Sequence, residues 1–282
     1  FALHDANIEI KKRLFMTATR KISKKNSFYK EGDKINALSM DNPDLYGKVC
    51  SNISFLEGSR LGVIARPKVI ISTTKNNTLE RHLINKSITS IDGKSIKAQQ
   101  IANQLALKNI IKKHKIKKIF SFHSSISRSE SFTGKGVEGI KNQIPNINPN
   151  HIDGSQNLET RENILHSFKN SNLGIISNVR CLIEGVDVPE VDAVMFTSPK
   201  ESLIDVIQSV GRSLRKRQNK NKKYGYVILP LYLNTKKKEK ISKSLEETNF
   251  DLIADVINAL REHDDEINQI IEKAIINQKI SK

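Results

Sequence analysis

Gln208-Ser209-Val210-Gly211-Arg212-Ser213-Leu214-Arg215 reads Q-x-x-G-R-x-x-R, and its reading decides how the rest of the chain is organised. The pattern predicts a helix over 203–214. On a helix Arg212 and Arg215 share one face, with about 5–6 Å between Cβ atoms. A guanidinium keeps its charge and presents a planar fork of donors that matches phosphate oxygens. Gly211, between Gln208 and Arg212, leaves room for another backbone to approach. The plain alternative is a solvated basic helix end, because Lys216, Arg217, Lys220, Lys222 and Lys223 follow. The order of the segments upstream separates the two readings.

Upstream, short apolar runs alternate with helical patterns. Strands are predicted at Val69–Ile71, Ile116–Phe122, Ile147–Ile152, Leu173–Ser177, Ala193–Phe196 and Tyr226–Leu231. Helices are predicted from Ala98 to Lys113, from Ser129 onward, and over Glu159–Phe168. Strand–helix alternation of this kind implies an α/β fold with a mainly parallel sheet and helices on both faces. Lys12–Met16 reads as a further buried strand ending at Thr17-Ala18-Thr19. Beyond Pro230 a charged run, Lys236 to Lys240, precedes two helix faces, one at Leu252, Ile253, Val256, Ile257 and Leu260, the other at Ile267, Ile270, Ile271, Ala274 and Ile275.

Composition narrows the function classes. The net charge is +17, from 47 Lys and Arg against 30 Asp and Glu, which favours a polyanionic partner, nucleic acid first. A lysine-, asparagine- and isoleucine-rich composition with no binding role is the competing explanation. Two distant cysteines, Cys50 and Cys181, indicate neither a disulfide framework nor a zinc site, and the seven histidines show no ligand spacing, so no metal ligands are expected. No signal peptide and no apolar run near 18 residues is visible. A soluble, cytoplasmic protein without a membrane partner is therefore expected.

Taken in order, the motifs resemble the second half of a superfamily 2 helicase of the DEAD/DEAH-box-like kind, in the branch related to restriction-enzyme translocase subunits. Met16-Thr17-Ala18-Thr19 resembles the motif that closes the first RecA-like domain, although Arg20 stands where the family usually has Pro. Lys118–Ser124 resembles motif IV. His151-Ile152-Asp153-Gly154 with Arg161 and Phe168 matches the strand and helix that follow. Ile175–Asn178 with Glu184–Pro189 resembles motif V, with Asn178 where the family often has Asp. Gln208–Arg215 resembles motif VI. The resemblance implies a RecA-like second domain that shares ATP and Mg²⁺ with a first domain.

By that resemblance Arg215 and Arg212 reach the γ-phosphate, Arg215 as the finger, and Gln208 orients near the phosphates or attacking water. Asp187 would meet the ribose from the turn that Gly185 allows. Thr17 and Thr19 would couple the domains. Ser124, Ser177 and Asn178 would contact a nucleic-acid backbone, DNA ahead of RNA. The sequence holds no G-x-x-x-x-G-K-S/T loop: at Gly93-Lys94-Ser95, Ile88 stands in place of the first Gly. No D-E-x-H or D-E-x-D run appears either. The ATP-gripping first half, with the Mg²⁺ ligands, is therefore expected to lie upstream or to be lost. The expected organisation is the end of a first RecA-like domain and hinge over 1–70, a second RecA-like domain over 71–235, and a helical extension over 236–282. A non-enzymatic basic nucleic-acid-binding remnant of such a helicase is the alternative.

Overall fold

A computed structural model describes residues 10–17, 20, 39–75, 95–182, 191–198, 203–216, 222–233, 256–258 and 260. The chain divides into two compact units, residues 1–53 and 54–282. In the first, the described residues form one short helix, α1 (Pro43–Tyr46). Asn42 caps it by accepting from the Asp44 N–H at 2.9 Å, and Gly47, at φ 74°, ends it. The strand expected at Lys12–Met16 is not formed. Leu14 and Met16 are exposed and the segment has no regular structure. An apolar run becomes a strand only where neighbours complete its backbone hydrogen bonds, and none of the described residues does so here. Phe15 instead packs edge-on against Tyr46, with ring centroids 5.0 Å apart.

The second unit is a six-stranded sheet. Its strands are β1 (Arg66–Lys75), β2 (Lys118–Phe122), β3 (Asn148–His151), β4 (Gly174–Asn178), β5 (Ala193–Phe196) and β6 (Tyr224–Leu233), in the order β1-β6-β5-β2-β4-β3. Every pairing is parallel. Among the described residues its helices include α2 (Phe55–Arg60), α3 (Ser95–His114), α4 (Ile126–Thr133), α5 (Leu158–Asn170) and α6 (Leu203–Leu214). This is a RecA-like arrangement. β1 crosses the boundary expected at residue 70, because its whole length pairs with β6, from Arg66 opposite Tyr224 to Lys75 opposite Leu233.

Strand alternation builds two cores. Phe120, Phe122, Ile176, Val194, Phe196 and Val227 point to one face, where Phe168 of α5 and Val206, Val210 and Leu214 of α6 cover them. Ile119, Ile175, Ala193, Met195 and Ile228 point to the other, under Leu107 and Ile110 of α3 and Phe132 of α4. Helices on both faces explain why β2, β4 and β5 are buried at every residue and read as continuous apolar runs. Val256 and Leu260 are buried in the first core; most of the expected extension lies outside the described residues.

Local chemistry sets the element ends. α4 starts at Ile126, ahead of the expected Ser129, because Ser125 caps it by accepting from the Arg128 N–H at 3.3 Å. α5 starts after Asn157, which accepts from the Thr160 N–H at 2.8 Å. Its other end meets Lys118, a buried lysine whose ammonium donates to the carbonyls of Phe168, Lys169 and Ser171. A cation at a helix C-terminus satisfies its last carbonyls and its dipole together.

Candidate functional site

The motif helix is held at its end. α6 begins after β5 and finishes against the start of β6. There the Ala65 N–H donates to the Leu214 carbonyl at 2.7 Å, and Ile64 forms an antiparallel bridge with Arg215. A Cβ on Gly225 would strike the Ser213 carbonyl and lie 2.7 Å from Leu214 Cδ2, so only glycine lets β6 come this close. Within the helix, Ser209 and Ser213 are buried because their hydroxyls donate to the carbonyls of Asp205 at 2.6 Å and Val210 at 2.8 Å.

Burial distinguishes the two arginines. Arg212 is 6% exposed, Arg215 is exposed, and Gln208 is half-buried. Among the described residues nothing lies within 4 Å of where a Gly211 side chain would stand, so they leave that room unfilled. Asp205, the acid of the helix's first turn, pairs with Arg180 at 3.8 Å. Thr17 is exposed in the first unit. Thr19, Gly185 and Asp187 lie outside the described residues.

Polar residues converge at the carboxyl ends of the strands, where open parallel sheets bind ligands. Ser124, after β2, accepts from Arg128 Nη1 at 2.8 Å. His123 sits between Ser121 Oγ and Thr197 Oγ1, each 3.1 Å from a ring nitrogen. Thr197 donates to the Phe122 carbonyl at 3.0 Å, so the network assigns the His123 Nδ1 proton toward Thr197. His123, Ser124, Arg128 and Thr197, with Gln100 and Asn103 of α3 and Ser198 after β5, line a cavity of about 30 Å³. Asn103 and Ser198 are buried, yet Asn103 Oδ1 and Ser198 Oγ have no partner among the described residues. A buried polar atom without a partner costs about 1–3 kcal/mol, so a donor or acceptor entering the cavity would recover that cost.

Ser177 and Asn178 stand behind this edge. Both are fully buried. Ser177 donates to the Ser129 carbonyl at 2.8 Å; Asn178 Nδ2 donates to the Ser121 carbonyl at 3.2 Å, and its Oδ1 accepts from the Leu182 N–H at 3.5 Å. Their side chains are engaged inside the protein. Beside them runs a chain of hydrogen bonds. Ser129 Oγ meets His151 Nδ1 at 2.8 Å, and His151 Nε2 meets Asp153 Oδ2 at 3.1 Å. Ser155 donates its N–H at 2.6 Å and its hydroxyl at 2.5 Å to Asp153 Oδ1. These Ser155 bonds, and secondarily His151, hold the Asp153 carboxyl below its ordinary value. Glu130, His151 and Asp153 bring three potential ligand atoms within 4.8 Å of one another, but the hydrogen bonds already use both nitrogens of His151.

Arg128, Asn103, Thr197 and Ser198 were not legible as site residues. They come from α3, α4 and the turn after β5, which only the folded sheet brings together. Position just after a predicted strand marks Thr197 and Ser198 as well as Ser124, but it does not show that the three share a cavity with Asn103 and Arg128.

Comparison with known proteins fits this geometry. Residues 102–217 match the family described as Helicase conserved C-terminal domain. A protein of African swine fever virus named Probable helicase is 30% identical over 230 residues, which are 79% of this chain and 23% of the viral protein. The structure of the ATP-dependent Type ISP restriction-modification enzyme LlaBIII bound to DNA superposes with a TM-score of 0.69 at 26% identity, covering 91% of this chain and 18% of that one. A fragment described as an HsdR subunit of a type I restriction enzyme from Vibrio vulnificus shares the fold, with a TM-score of 0.51 at 18% identity over 69% of this chain and 38% of that one. The chain thus spans about a quarter of the viral relative's length. Among the described residues no helix is long and apolar enough to cross a membrane. On these matches the second unit carries a helicase conserved C-terminal domain, and the chain fits the C-terminal half of a superfamily 2 helicase.

Proposed function

We propose that the chain is the C-terminal motor half of an ATP-dependent nucleic-acid helicase or translocase, and that Arg215 is its arginine finger. The observation that carries this is the contrast on α6: Arg215 is exposed on a helix end held by Ala65 and Gly225, while Arg212 is buried beside it. Arg215 meets the charge that develops on a transferring γ-phosphoryl group. Arg212 backs it, and Gln208 orients near the phosphates. Gly185 and Asp187 meet the ribose, and Thr17 and Thr19 couple the two domains. The arginine fork suits an anion, and the helix's one first-turn acid is paired with Arg180. This chain therefore supplies the phosphate contact, and the Mg²⁺ that accompanies ATP is held by carboxylates of a preceding RecA-like domain. A nucleic-acid backbone runs along the carboxyl ends of the strands, touching Ser124 and Arg128, with Ser177 and Asn178 supporting that edge from within. DNA is favoured over RNA because the restriction-modification enzyme that superposes on the chain is DNA-bound. The reading as a non-enzymatic remnant draws on the missing phosphate loop.

The test is ATP turnover by a protein that joins this chain to such a first domain. Arg215→Ala should lower turnover roughly 10³-fold or more while nucleotide binding changes little, because a finger meets charge present only in the transition state. Arg215→Lys should not restore it, since an ammonium lacks the planar fork. Unchanged turnover with weakened nucleic-acid binding would show α6 to be a basic tract.

A further inference from the structure

The sheet has a second polar opening, at the amino ends of β2, β5 and β6 and on the face opposite α6. His114 and Lys115 at the end of α3, Asp192 before β5, and Lys222, Lys223, Tyr224 and Tyr226 around the start of β6 enclose about 420 Å³. None of these residues belongs to the helicase motifs.

Strand alternation creates this opening. Gly225 faces α6, so Tyr224 and Tyr226 face the other way. Their ring centroids are 6.2 Å apart, and His114 lies 5.1 Å beyond Tyr226, forming a tier of three planar rings. Lys68 Nζ stands 5.0 Å from the Tyr224 centroid. Lys113, Lys115, Lys117 and Lys223 are exposed around the rim, and Tyr224 is 39% exposed. The one acid among the described lining residues is already engaged: Asp192 Oδ2 accepts from the N–H groups of Lys117 and Lys118 at 2.9 and 3.0 Å. His114 is less basic than usual, through desolvation first and then the charges of Lys68 and Lys113. The opening therefore sits in a net positive field with an aromatic floor.

We infer that this opening is a second nucleic-acid site, taking a single strand whose phosphates lie on Lys115 and Lys223 and one of whose bases stacks against Tyr224. Lysines alone would suit any polyanion. The exposed ring beside them favours a ligand that carries both a phosphate and a flat aromatic face at nucleotide spacing. A motor that holds a strand at the carboxyl edge would gain a second grip where the strand is displaced or exits. The inference does not depend on the roles proposed for α6.

The test is fluorescence anisotropy of a labelled oligothymidylate of about 20 nucleotides with the full chain, at fixed salt. Lys115→Glu with Lys223→Glu should weaken binding about tenfold or more. The charge-matched pair Lys135→Glu with Lys141→Glu, on exposed lysines elsewhere, should weaken it less than about threefold. Tyr224→Ala should cost about fivefold or more and Tyr224→Phe almost nothing, as base–aromatic stacking requires. Equal losses from the two charge reversals, or no loss from Tyr224→Ala, would overturn the site in favour of bulk charge. Displacement by polyglutamate as effective as by unlabelled oligonucleotide would assign the surface to an acidic protein instead. Displacement by thymidine monophosphate at oligonucleotide concentrations would assign it to a free nucleotide.

Discussion

The two ends of the sheet are built by opposite means. At the carboxyl ends polar side chains are buried and bonded to one another: His123 between Ser121 and Thr197, and Ser129, His151, Asp153 and Ser155 in one chain. At the amino ends the charges stand in water around Tyr224, and the few fixed contacts go to backbone. Buried hydrogen bonds fix positions and suit a site that must hold one geometry. Solvated lysines exert a field and tolerate many ligand positions, with strong salt dependence. The same sheet thus offers a specific edge and a sticky one, and mutations at the two should separate stability from binding in different ways.

The largest effect expected outside the motif helix is at Asp153. Asp153→Asn should destabilise the domain by about 1–2 kcal/mol at pH 7, because the two Ser155 bonds lose their charged acceptor and the oxygen facing His151 becomes an amide NH2. The folded-state pKa of Asp153 is lowered, so its contribution is fully present above the ordinary carboxylate range and fades as the pH falls through the lowered value. Urea unfolding of both proteins from pH 7 down to 3 should show the difference shrinking with acid. A difference constant across that range would break the account of the carboxyl edge.

A smaller effect is expected at the orphaned atoms. Asn103→Leu and Ser198→Ala should leave stability within about 1 kcal/mol or raise it, since neither Asn103 Oδ1 nor Ser198 Oγ has a partner to lose among the described residues. Both should nonetheless weaken nucleic-acid binding measurably. Destabilisation by more than about 2 kcal/mol would mean that these groups are satisfied in solution and serve the fold.

The smallest concerns Lys115, the one non-glycine residue among those described with positive φ, at 54°. Lys115→Gly should relieve that backbone cost and stabilise the domain by about 0.5–1 kcal/mol, while lowering oligonucleotide affinity slightly by removing one cation. Thermal melts and anisotropy on the same preparations would read both. A loss of stability would remove the contrast with the carboxyl edge, because Lys115 would then support the fold as well as the charge.

Much of the architecture was legible from residue order. β2, β4 and β5 carry apolar runs with turn residues between them, and α6 matched its expected bounds of 203 and 214. The segment at 12–16 has the same apolar look but no strand, because a strand is a property of a pair. α4 starts three residues ahead of the position its periodicity indicates, because its start depends on the Ser125 cap and periodicity carries no trace of a cap.

The amino-acid sequence by itself determined the order of strands and helices, the arginine pair on α6 and the net positive charge, since periodicity, side-chain chemistry and composition are local quantities. Only the tertiary structure decided that Arg212 is buried and Arg215 exposed, that Ser177 and Asn178 turn inward while Ser124 faces the cavity, and that the rings of Tyr224, Tyr226 and His114 meet at tilted angles in one row. Those outcomes depend on which strands lie side by side and on which face each alternate residue falls. In this sheet β1 pairs with β6 across most of the chain's length, a contact that no local pattern encodes.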